Sequence, residues 1–273
     1  MNSISSETTE VDGLRIHYLT AGEGDPILLI HGFPTSSYLW RNVMPELAVH
    51  NRVIAIDLPG YGLSDKPLDI KYNFFFFEKI LNGFLDALGI EKTALAVHDL
   101  GGPVGLFWAV RQPARVTKLV VLNTLVYPET SWAVKAFLLG LKLPYLRDYL
   151  VSPKGLVGAM RFGVEHKERL SREVLTPYTA PFVDSDARRA LIKAGSGLSL
   201  KGLAEIARNL RQLEMPVRII YAENDRILPD IAKTVARLQS DIPHAEATSI
   251  PECGHFLQED EPARVGSLIR EFL

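Results

Sequence analysis

The sequence predicts an α/β fold with a mostly parallel central sheet, helices on both of its faces, and a helical cap inserted late in the chain. Short apolar runs alternate with longer helical stretches, which is typical of a parallel sheet that is covered on both faces. The alternation then stops and resumes near the carboxyl end. The chain has 273 residues, of which 47% are apolar, and this is ample for one large core.

Six segments are predicted as strands. The first alternates apolar and polar residues, as an edge strand does, whereas the other five are short and apolar. In such sheets, ligands bind beyond the carboxyl ends of the strands, so the polar residues found there are the first candidates for function. The strands are Leu14–Gly22, Pro26–Gly32, Arg52–Gly62, Thr93–Asp99, Lys118–Thr124 and Val217–Asp225, and the polar residues at their ends are His31, Asp57, Asp99, Asn123 and Asp225.

Helices are predicted at Phe74–Leu88, whose opening FFFF run is read as core or pocket wall, and at Gly101–Gln112. From about Pro128 to Met215 the chain has helical character, no clear strand and many aromatic and basic residues. A helical insertion between two strands would lie over the strand ends. We therefore predict a core domain of residues 1–127 and 216–273 and a helical cap of residues 128–215.

Charge and composition argue against several classes of protein. Lys and Arg number 30 against 32 Asp and Glu, so a net charge of −2 offers no basic excess for nucleic acid or an anionic membrane. Residues 1–10 are polar, unlike a signal peptide, and no apolar run reaches the roughly 18 residues of a transmembrane helix. The single cysteine, Cys253, excludes an internal disulfide. We expect a cytoplasmic protein without a nucleic-acid or membrane partner.

The segment VHDLGG, residues 97–102, places Asp99 where a strand gives way to a helix. A nucleophile on such a turn is exposed, small residues on either side let the chain pack tightly, and serine is the usual occupant. Gly101 supplies the small residue downstream, whereas Val97 makes the upstream half less regular. The first N–H groups of the helix stabilise negative charge, so Asp99 is expected to stay ionised. An isolated aspartate here would more commonly be an N-cap.

Two further residues favour a catalytic role for this aspartate. Asp225 ends a late strand, and His255 lies in a turn that follows a glycine and precedes the last helix. The chain order of nucleophile, acid and histidine is the one expected for this strand topology. We therefore predict a catalytic triad of Asp99, Asp225 and His255.

These motifs resemble the α/β-hydrolase family, specifically its branch with an aspartate nucleophile, which contains epoxide hydrolases and haloalkane dehalogenases. The resemblance covers nearly the whole chain. It implies a monomeric or homodimeric hydrolase of a neutral, apolar small molecule, with water as co-substrate and no cofactor. It includes the segments His31–Ala48, Ile56–Pro67, His98–Gly102, Glu223–Pro229 and Cys253–Pro262.

An aspartate at this bend selects displacement at saturated carbon. A serine attacking such a carbon would form an ether, whereas a carboxylate forms an ester whose carbonyl belongs to the enzyme. His255 can then deprotonate a water that attacks this carbonyl, while Asp225 orients the imidazole ring. The resemblance implies that the backbone N–H groups of Phe33 and Leu100 stabilise the resulting oxyanion.

The mechanism is compatible with two leaving groups, an epoxide oxygen and a halide. Dehalogenases usually hold the halide with a tryptophan directly after the nucleophile and a second donor after His-Gly or in the cap. Leu100 and Phe33 occupy the first two positions, and Trp132 stands too early in the cap. HGFP is the form more often seen in epoxide hydrolases. We therefore expect an epoxide hydrolase, with a haloalkane dehalogenase as the alternative, and an apolar pocket containing Phe33, Trp40 and Leu100.

Epoxide hydrolases also need an acid for the opening ring oxygen, and in the family two cap tyrosines supply it. Tyr149 stands about where the first is expected. The stretch that usually carries the second has no tyrosine, so Tyr178, Tyr145 or His166 are the candidates to replace it.

Three other functions fit less well. A fluoroacetate-type dehalogenase would have arginines beside the nucleophile to bind a carboxylate, but Leu100 and Pro103 stand there. An esterase would need serine at position 99, and a non-enzymatic binding protein would not need all three triad residues. No CxxC or HExxH motif is present, so no metal site is expected. We assign structural or supporting roles to Cys253, His98, Asp57, Asp65 and Asn123.

Overall fold

The computed structural model describes residues 3–273, and within them eight strands form a single sheet. Their order across the sheet is β1-β2-β4-β3-β5-β6-β7-β8, and β2 alone runs antiparallel to its neighbours. The predicted α/β class with a mostly parallel sheet is confirmed. The strands are β1 (Ser5–Val11), β2 (Leu14–Ala21), β3 (Asp25–Ile30), β4 (Asn51–Ile56), β5 (Thr93–Asp99), β6 (Val116–Thr124), β7 (Val217–Ala222) and β8 (Glu246–Ile250).

The α-helices are α1 (Met44–Leu47), α2 (Phe74–Ala87), α3 (Gly101–Arg111), α4 (Trp132–Gly140), α5 (Pro144–Leu150), α6 (Pro153–Gly163), α7 (Arg172–Thr179), α8 (Ser185–Ser196), α9 (Leu200–Asn209), α10 (Ile231–Asp241), α11 (Leu257–Asp260) and α12 (Pro262–Arg270). The helices α4 to α9 follow one another between β6 and β7, in the range where the sequence predicts a cap. The exact division into core and cap stays a prediction. Among residues 3–273, no helix combines the length and apolar character needed to cross a membrane.

Apolar side chains pack against both faces of the sheet. In β3, Leu28 and Ile30 belong to one buried cluster, whereas Ile27 and Leu29 belong to a second cluster that also contains Trp40. Because successive side chains of a strand point to opposite faces, a strand that is buried on both faces must be apolar throughout. This explains why the inner strands are visible in the sequence as continuous apolar runs.

Two strands at the edges of the sheet are missing from the sequence prediction. Strand β1 has the sequence SSETTEV and is largely exposed, and β8 is only partly buried. Neither has the apolar run on which the prediction depends. As a result, β2 is not the edge strand that its alternating pattern predicts, because β1 pairs along its outer side. Met1 and Asn2, part of the segment predicted not to be a signal peptide, lie outside the described residues.

The order of the strands reverses between β3 and β5. The chain passes from β3 to β4 on one side and later places β5 on the other side of β3. Ligands of open α/β sheets bind in the crevice beyond the strand ends at such a switch point. The segment His31–Phe33 follows β3 directly, and Asp99 is the last residue of β5, so both strand ends deliver residues to this crevice.

Candidate active site

Asp99 occupies a sharp turn between β5 and α3. Its φ of 49° lies in the left-handed region, which non-glycine residues rarely adopt and which is often found at functional sites. The turn is packed tightly against the segment after β3. A Cβ atom at Gly101 would collide with the carbonyl oxygen of His31, and one at Gly32 would collide with the Asp99 carboxylate. The close approach of these two turns fixes the carboxylate at the switch point.

The Asp99 carboxylate receives backbone donors from both turns. The Phe33 N–H donates to Oδ2 at 2.6 Å, and the Leu100 N–H contributes a second backbone hydrogen bond that lowers the pKa of the carboxyl. Burial raises this pKa, but the close contact with the charged His255 ring, together with the electrostatic effect of His98 and the Leu100 amide, outweighs burial, so the net pKa lies below the usual value. Asp99 is therefore an ionised carboxylate beside the two amides that the resemblance names as oxyanion donors.

His255 connects two carboxylates. Its Nδ1 lies 2.7 Å from Oδ2 of Asp225, and its Nε2 lies 3.3 Å from Oδ1 of Asp99. The ring is fully buried. The contact of Nε2 with Asp99 is not a hydrogen bond, and Nε2 has no hydrogen-bond partner among the described residues. The three side chains predicted as a triad therefore lie together, with one nitrogen of the imidazole open toward Asp99.

Asp225 is held by four donors. Its Oδ1 accepts the N–H groups of Ile227 at 2.8 Å and Leu228 at 2.7 Å, and its Oδ2 accepts the Nδ2–H of Asn123 at 2.6 Å in addition to the His255 ring. Asn123 is itself fixed, because its Oδ1 accepts the Ala222 N–H at 2.9 Å. Burial raises the pKa of Asp225, but the charge of His255 and these hydrogen bonds bring it below its usual value.

The two carboxylates govern the charge of the imidazole. Burial alone lowers the pKa of His255, but the charge and hydrogen bond of Asp225, followed by the Asp99 carboxylate, raise the pKa to about 10. In the resting protein at neutral pH, His255 is therefore an imidazolium between two anions. Removal of one of the two negative charges would lower its pKa.

These pKa shifts predict a dependence of stability on pH. The pKa of His255 is raised on folding, so its stabilising contribution is complete below about pH 6.5 and is lost as the pH rises toward about 10. The pKa values of Asp99 and Asp225 are lowered, so their contribution is lost as the pH falls below about 4. Thermal unfolding of the wild type and of His255→Gln between pH 6 and 10 measures the first effect. We expect the stability difference between the two to shrink with rising pH, and a constant difference would contradict this assignment.

The three tyrosines proposed as ring-opening acids lie away from Asp99 or in solvent. Tyr145 is 93% exposed and Tyr149 is 58% exposed, so neither hydroxyl is held over the nucleophile. Tyr178 is buried, but its hydroxyl donates to Glu259 and also accepts from Arg41. No described contact joins Tyr149, Tyr178 or Tyr145 to the nucleophile, and their role as ring-opening acids stays a prediction that these positions do not support.

Two further predictions need correction. Trp40 is fully buried in the core cluster that contains Ile27 and Leu29, and it does not line the cavity described below. His166 is bound through its backbone N–H to Asp260 and through its ring to acidic groups of its own neighbourhood, so it is not an acid at Asp99.

The loop that carries His255 is held by residues that sequence reasoning underestimates or misses. His98 is buried, and its Nε2 lies 2.8 Å from the carbonyl oxygen of His255. Burial, followed by the charge of His255, lowers the pKa of His98 to about 4, so it is neutral. Asp260 is not among the functional residues predicted from the sequence, yet its carboxylate accepts the Gly254 N–H at 2.8 Å. Its only signal in the sequence is its place in the acidic segment directly after the histidine.

A small, partly enclosed cavity adjoins the site. Leu100 lines this cavity, whereas Phe33, the other predicted pocket residue, does not; its ring is 9% exposed and packs against Phe137 of α4 with centroids 5.1 Å apart. The cavity reaches Asp99 through its neighbours in the two turns, Gly32 and Leu100. The complete lining is His31, Gly32, Leu58, Tyr61, Phe77, Leu100, Val104, Ala194 and Leu198.

Within residues 3–273, no three or more His, Cys, Asp or Glu side chains are grouped so that they could hold a metal ion. The site is thus built from a carboxylate, an imidazole, a second carboxylate and backbone amides, next to an apolar cavity.

Comparison with known proteins agrees with this geometry. Residues 25–262 match the family model for the alpha/beta hydrolase fold. The chain belongs to the α/β-hydrolase family. It is 31% identical to haloalkane dehalogenase 2 of Mycobacterium tuberculosis, over 94% of this chain and 91% of that protein. It is also 29% identical to a cis-3-alkyl-4-alkyloxetan-2-one decarboxylase of Shewanella oneidensis, over 96% of this chain and 86% of that protein.

A solved structure gives the same picture. The haloalkane dehalogenase DbeA of Bradyrhizobium elkani superimposes on this hydrolase with a TM-score of 0.87 and 26% identity, covering 99% of this chain and 97% of the other. The chain is thus an α/β-hydrolase with relatives of the haloalkane dehalogenase type.

Proposed function

We propose that this hydrolase is an epoxide hydrolase that converts a neutral, apolar epoxide into a vicinal diol through an ester on Asp99. The observation that carries the proposal is the position of the ionised Asp99 carboxylate. It lies between the His255 imidazole and the backbone donors of Phe33 and Leu100, at the mouth of an apolar cavity.

The reaction divides into two steps that reuse the same groups. In the first, an Asp99 oxygen attacks a ring carbon, the carbon–oxygen bond of the ring breaks, and the ring oxygen takes up a proton. Asp99 is then a neutral ester, so the pKa of His255 falls and the imidazolium gives up its proton. The free Nε2 can then accept a proton from water. In the second step, the hydroxide attacks the ester carbonyl, and the Phe33 and Leu100 amides stabilise the oxyanion. The diol leaves with the proton from His255.

The arrangement of N–H donors argues against a halide as the leaving group. The side chains of Phe33 and Leu100 cannot donate. The chain has three tryptophans, and none is placed to bind a halide beside Asp99. Trp40 is in the core, Trp108 donates to Asn82, and Trp132 is 74% exposed.

A haloalkane dehalogenase is the second candidate, and the relatives favour it. The dehalogenase of Mycobacterium tuberculosis is 31% identical over nearly the whole chain. The relative from Shewanella oneidensis is named for a four-membered ring lactone, an oxetan-2-one, whose ring oxygen would be the leaving group if attack occurred at its saturated carbon. The chemistry common to all three possibilities is displacement at saturated carbon by Asp99.

Product analysis distinguishes the leaving groups. Purified protein is incubated separately with styrene oxide and with 1-bromobutane, and the formation of diol and of bromide is measured. We expect diol without bromide, because a halide finds no side-chain donor beside Asp99. Bromide release without diol would replace the proposal with the dehalogenase, and release of neither product, with tight ligand binding, would favour a binding protein.

A further inference from the structure

Tyr61 lies in the loop that follows β4, on the side of the cavity nearest to the turn after β3. It is only 2% exposed. Its ring packs edge-on against the His31 imidazole, with centroids 5.1 Å apart, and stands 6.5 Å from the ring of Phe33. Two rings of the segment that donates to Asp99 therefore fix the position of this phenol.

The Tyr61 hydroxyl is the one uncommitted polar side-chain group in the lining of this cavity. Of the nine lining residues, only His31 and Tyr61 carry polar side-chain atoms. The His31 Nδ1 contacts the Gly32 carbonyl at 2.9 Å, and its Nε2 accepts the Leu58 N–H at 3.1 Å, so both ring nitrogens are occupied. The Tyr61 hydroxyl makes no hydrogen bond with any of the described residues.

The hydroxyl is also not completely sealed, and Tyr61 lines the cavity. Some other side chains in the described chain have nitrogen or oxygen atoms that are sealed from solvent and have no hydrogen-bond partner. These atoms belong to Trp40, His98, Arg218, His255 and Gln258, and the Tyr61 hydroxyl is not among them. Leaving a hydroxyl without a partner in an apolar enclosure costs about 1–3 kcal/mol in general, a cost that an acceptor on a ligand removes.

Burial, followed by the negative charge of Asp99, raises the pKa of Tyr61 well above its usual value. The phenol is therefore a hydrogen-bond donor at neutral pH rather than an anion. Tyr61 lines the same cavity as Gly32 and Leu100, whose turns hold the Asp99 carboxylate, so the phenol and the nucleophile border one small space.

We propose that the Tyr61 hydroxyl donates its hydrogen to the ring oxygen of the substrate while Asp99 attacks the ring carbon. Tyr61 thereby takes the role for which the sequence suggests cap tyrosines, from a loop of the sheet domain. This inference rests on the proposed epoxide hydrolysis and adds to it the identity of the acid.

The protons balance over a full cycle. When the carbon–oxygen bond breaks, the ring oxygen takes the Tyr61 proton and leaves a phenolate. The His255 imidazolium, whose pKa has fallen with the loss of the Asp99 charge, gives its proton to the Tyr61 phenolate, so Tyr61 is restored and His255 is neutral. Water then gives a proton to His255 and its hydroxide to the ester carbonyl. On collapse, the second product oxygen takes the proton of His255, and Asp99 is released as a carboxylic acid. That acid is stronger than the imidazolium beside it, so its proton returns to His255 and the resting charges of all three groups are restored.

Tyr61→Phe tests the proposal, because it removes one oxygen atom and keeps the ring that packs on His31. Ester formation with styrene oxide is followed by intact-protein mass in a His255→Gln background, where the ester is expected to persist. We expect ester formation to slow by about 10²- to 10⁴-fold, the usual contribution of a general acid. Ester hydrolysis, measured by single turnover with His255 present, should change little, since that step does not use the phenol.

Tyr72→Phe is the matched control. Tyr72 is equally buried and neighbours the same loop, but its hydroxyl donates to the Pro67 carbonyl at 2.8 Å and does not face the cavity. It should keep the wild-type rate of ester formation. An equal loss in Tyr72→Phe, or an equal slowing of both steps in Tyr61→Phe, would show a structural role and overturn the inference.

The result also separates this inference from the proposed function. Diol formation by the wild type with full activity in Tyr61→Phe would reject Tyr61 as the acid and leave the epoxide hydrolase standing. Absence of both ester and diol when the wild type meets styrene oxide would reject the epoxide hydrolase, and the role of Tyr61 with it.

Discussion

Replacing His255 with glutamine is expected to stop the reaction halfway, with substrate carbon attached to Asp99. Attack by Asp99 uses its ionised carboxylate and the Tyr61 hydroxyl but not the imidazole, and the backbone donors of Phe33 and Leu100 remain in the variant. Hydrolysis of the ester, in contrast, needs a base for water. We expect turnover to fall by about 10⁴-fold or more, as on loss of the histidine of other triads, while one equivalent of substrate is retained on the protein.

The physical reason is the change in charge at Asp99. In the resting site the two carboxylates raise the pKa of His255 to about 10, so the imidazole is charged and cannot serve as a base. Ester formation removes the charge of Asp99 and leaves Asp225 as the only anion beside the ring. The pKa of His255 then falls, so the base appears only after the ester has formed. Glutamine has no titrating nitrogen and cannot make this change.

Intact-protein mass after incubation with styrene oxide measures the trapped ester, and peptide mapping places it on a residue. His244→Gln is the control, because that histidine bonds only the Met215 carbonyl and lies outside the site. It should turn over like the wild type and accumulate nothing. An unmodified His255→Gln protein that has lost activity would place the histidine before the ester rather than after it.

Much of the site could be predicted from the sequence because its parts follow strand ends. Asp99 and Asp225 follow continuous apolar runs, and the spacing of buried parallel strands leaves little freedom in where such runs end. The irregular Val97 did not prevent the turn, because Gly105 of α3 leaves room for its side chain: a Cβ at Gly105 would collide with Val97. That compensation is eight residues downstream and carries no pattern of its own.

The acid for the leaving oxygen could not be predicted in this way. The orientation of a tyrosine depends on tertiary contacts, and the apolar and basic cap sequence is compatible with many of them. The Tyr178 hydroxyl is hydrogen-bonded to Glu259 and Arg41, which form an ion pair with each other. Both residues are distant in sequence from Tyr178 and from each other. Tyr61 lies in the loop that also contains Asp57 and Asp65, and in the sequence these two aspartates are the more obvious candidates for a role. Its candidacy comes from an unpartnered hydroxyl on an apolar cavity, which only coordinates reveal.

Replacing Asp99 with asparagine is expected to abolish catalysis while preserving the fold. Asparagine is close in shape, it tolerates the left-handed φ of 49° at this position better than most residues, and its side-chain oxygen can still accept the Phe33 N–H. A neutral amide is a far poorer nucleophile than a carboxylate. We therefore expect activity to fall by about 10⁴-fold or more, with no trapped ester even in combination with His255→Gln.

The N-cap position of α3 is occupied by Leu100 and makes no side-chain cap hydrogen bond, and a capping role for Asp99 would predict a different outcome. Asparagine caps helices as well as aspartate does, so an N-cap would survive the exchange with activity intact. Asp184 provides the matched control: it caps α8 through the N–H groups of Asp186 and Ala187, and Asp184→Asn should keep both stability and turnover. Intact mass must first exclude a deamidated fraction in Asp99→Asn, since deamidation regenerates the wild type.

A single turnover of the wild type in ¹⁸O-labelled water completes the assignment of Asp99. If its carboxylate attacks carbon, the oxygen that is added to the substrate in the first turnover comes from Asp99. The label from water then enters the Asp99 side chain. Direct attack by water would instead label the first product and leave Asp99 unlabelled. This second pattern, together with a measurable rate for Asp99→Asn, would make Asp99 an electrostatic partner of His255 and remove the covalent ester from the mechanism.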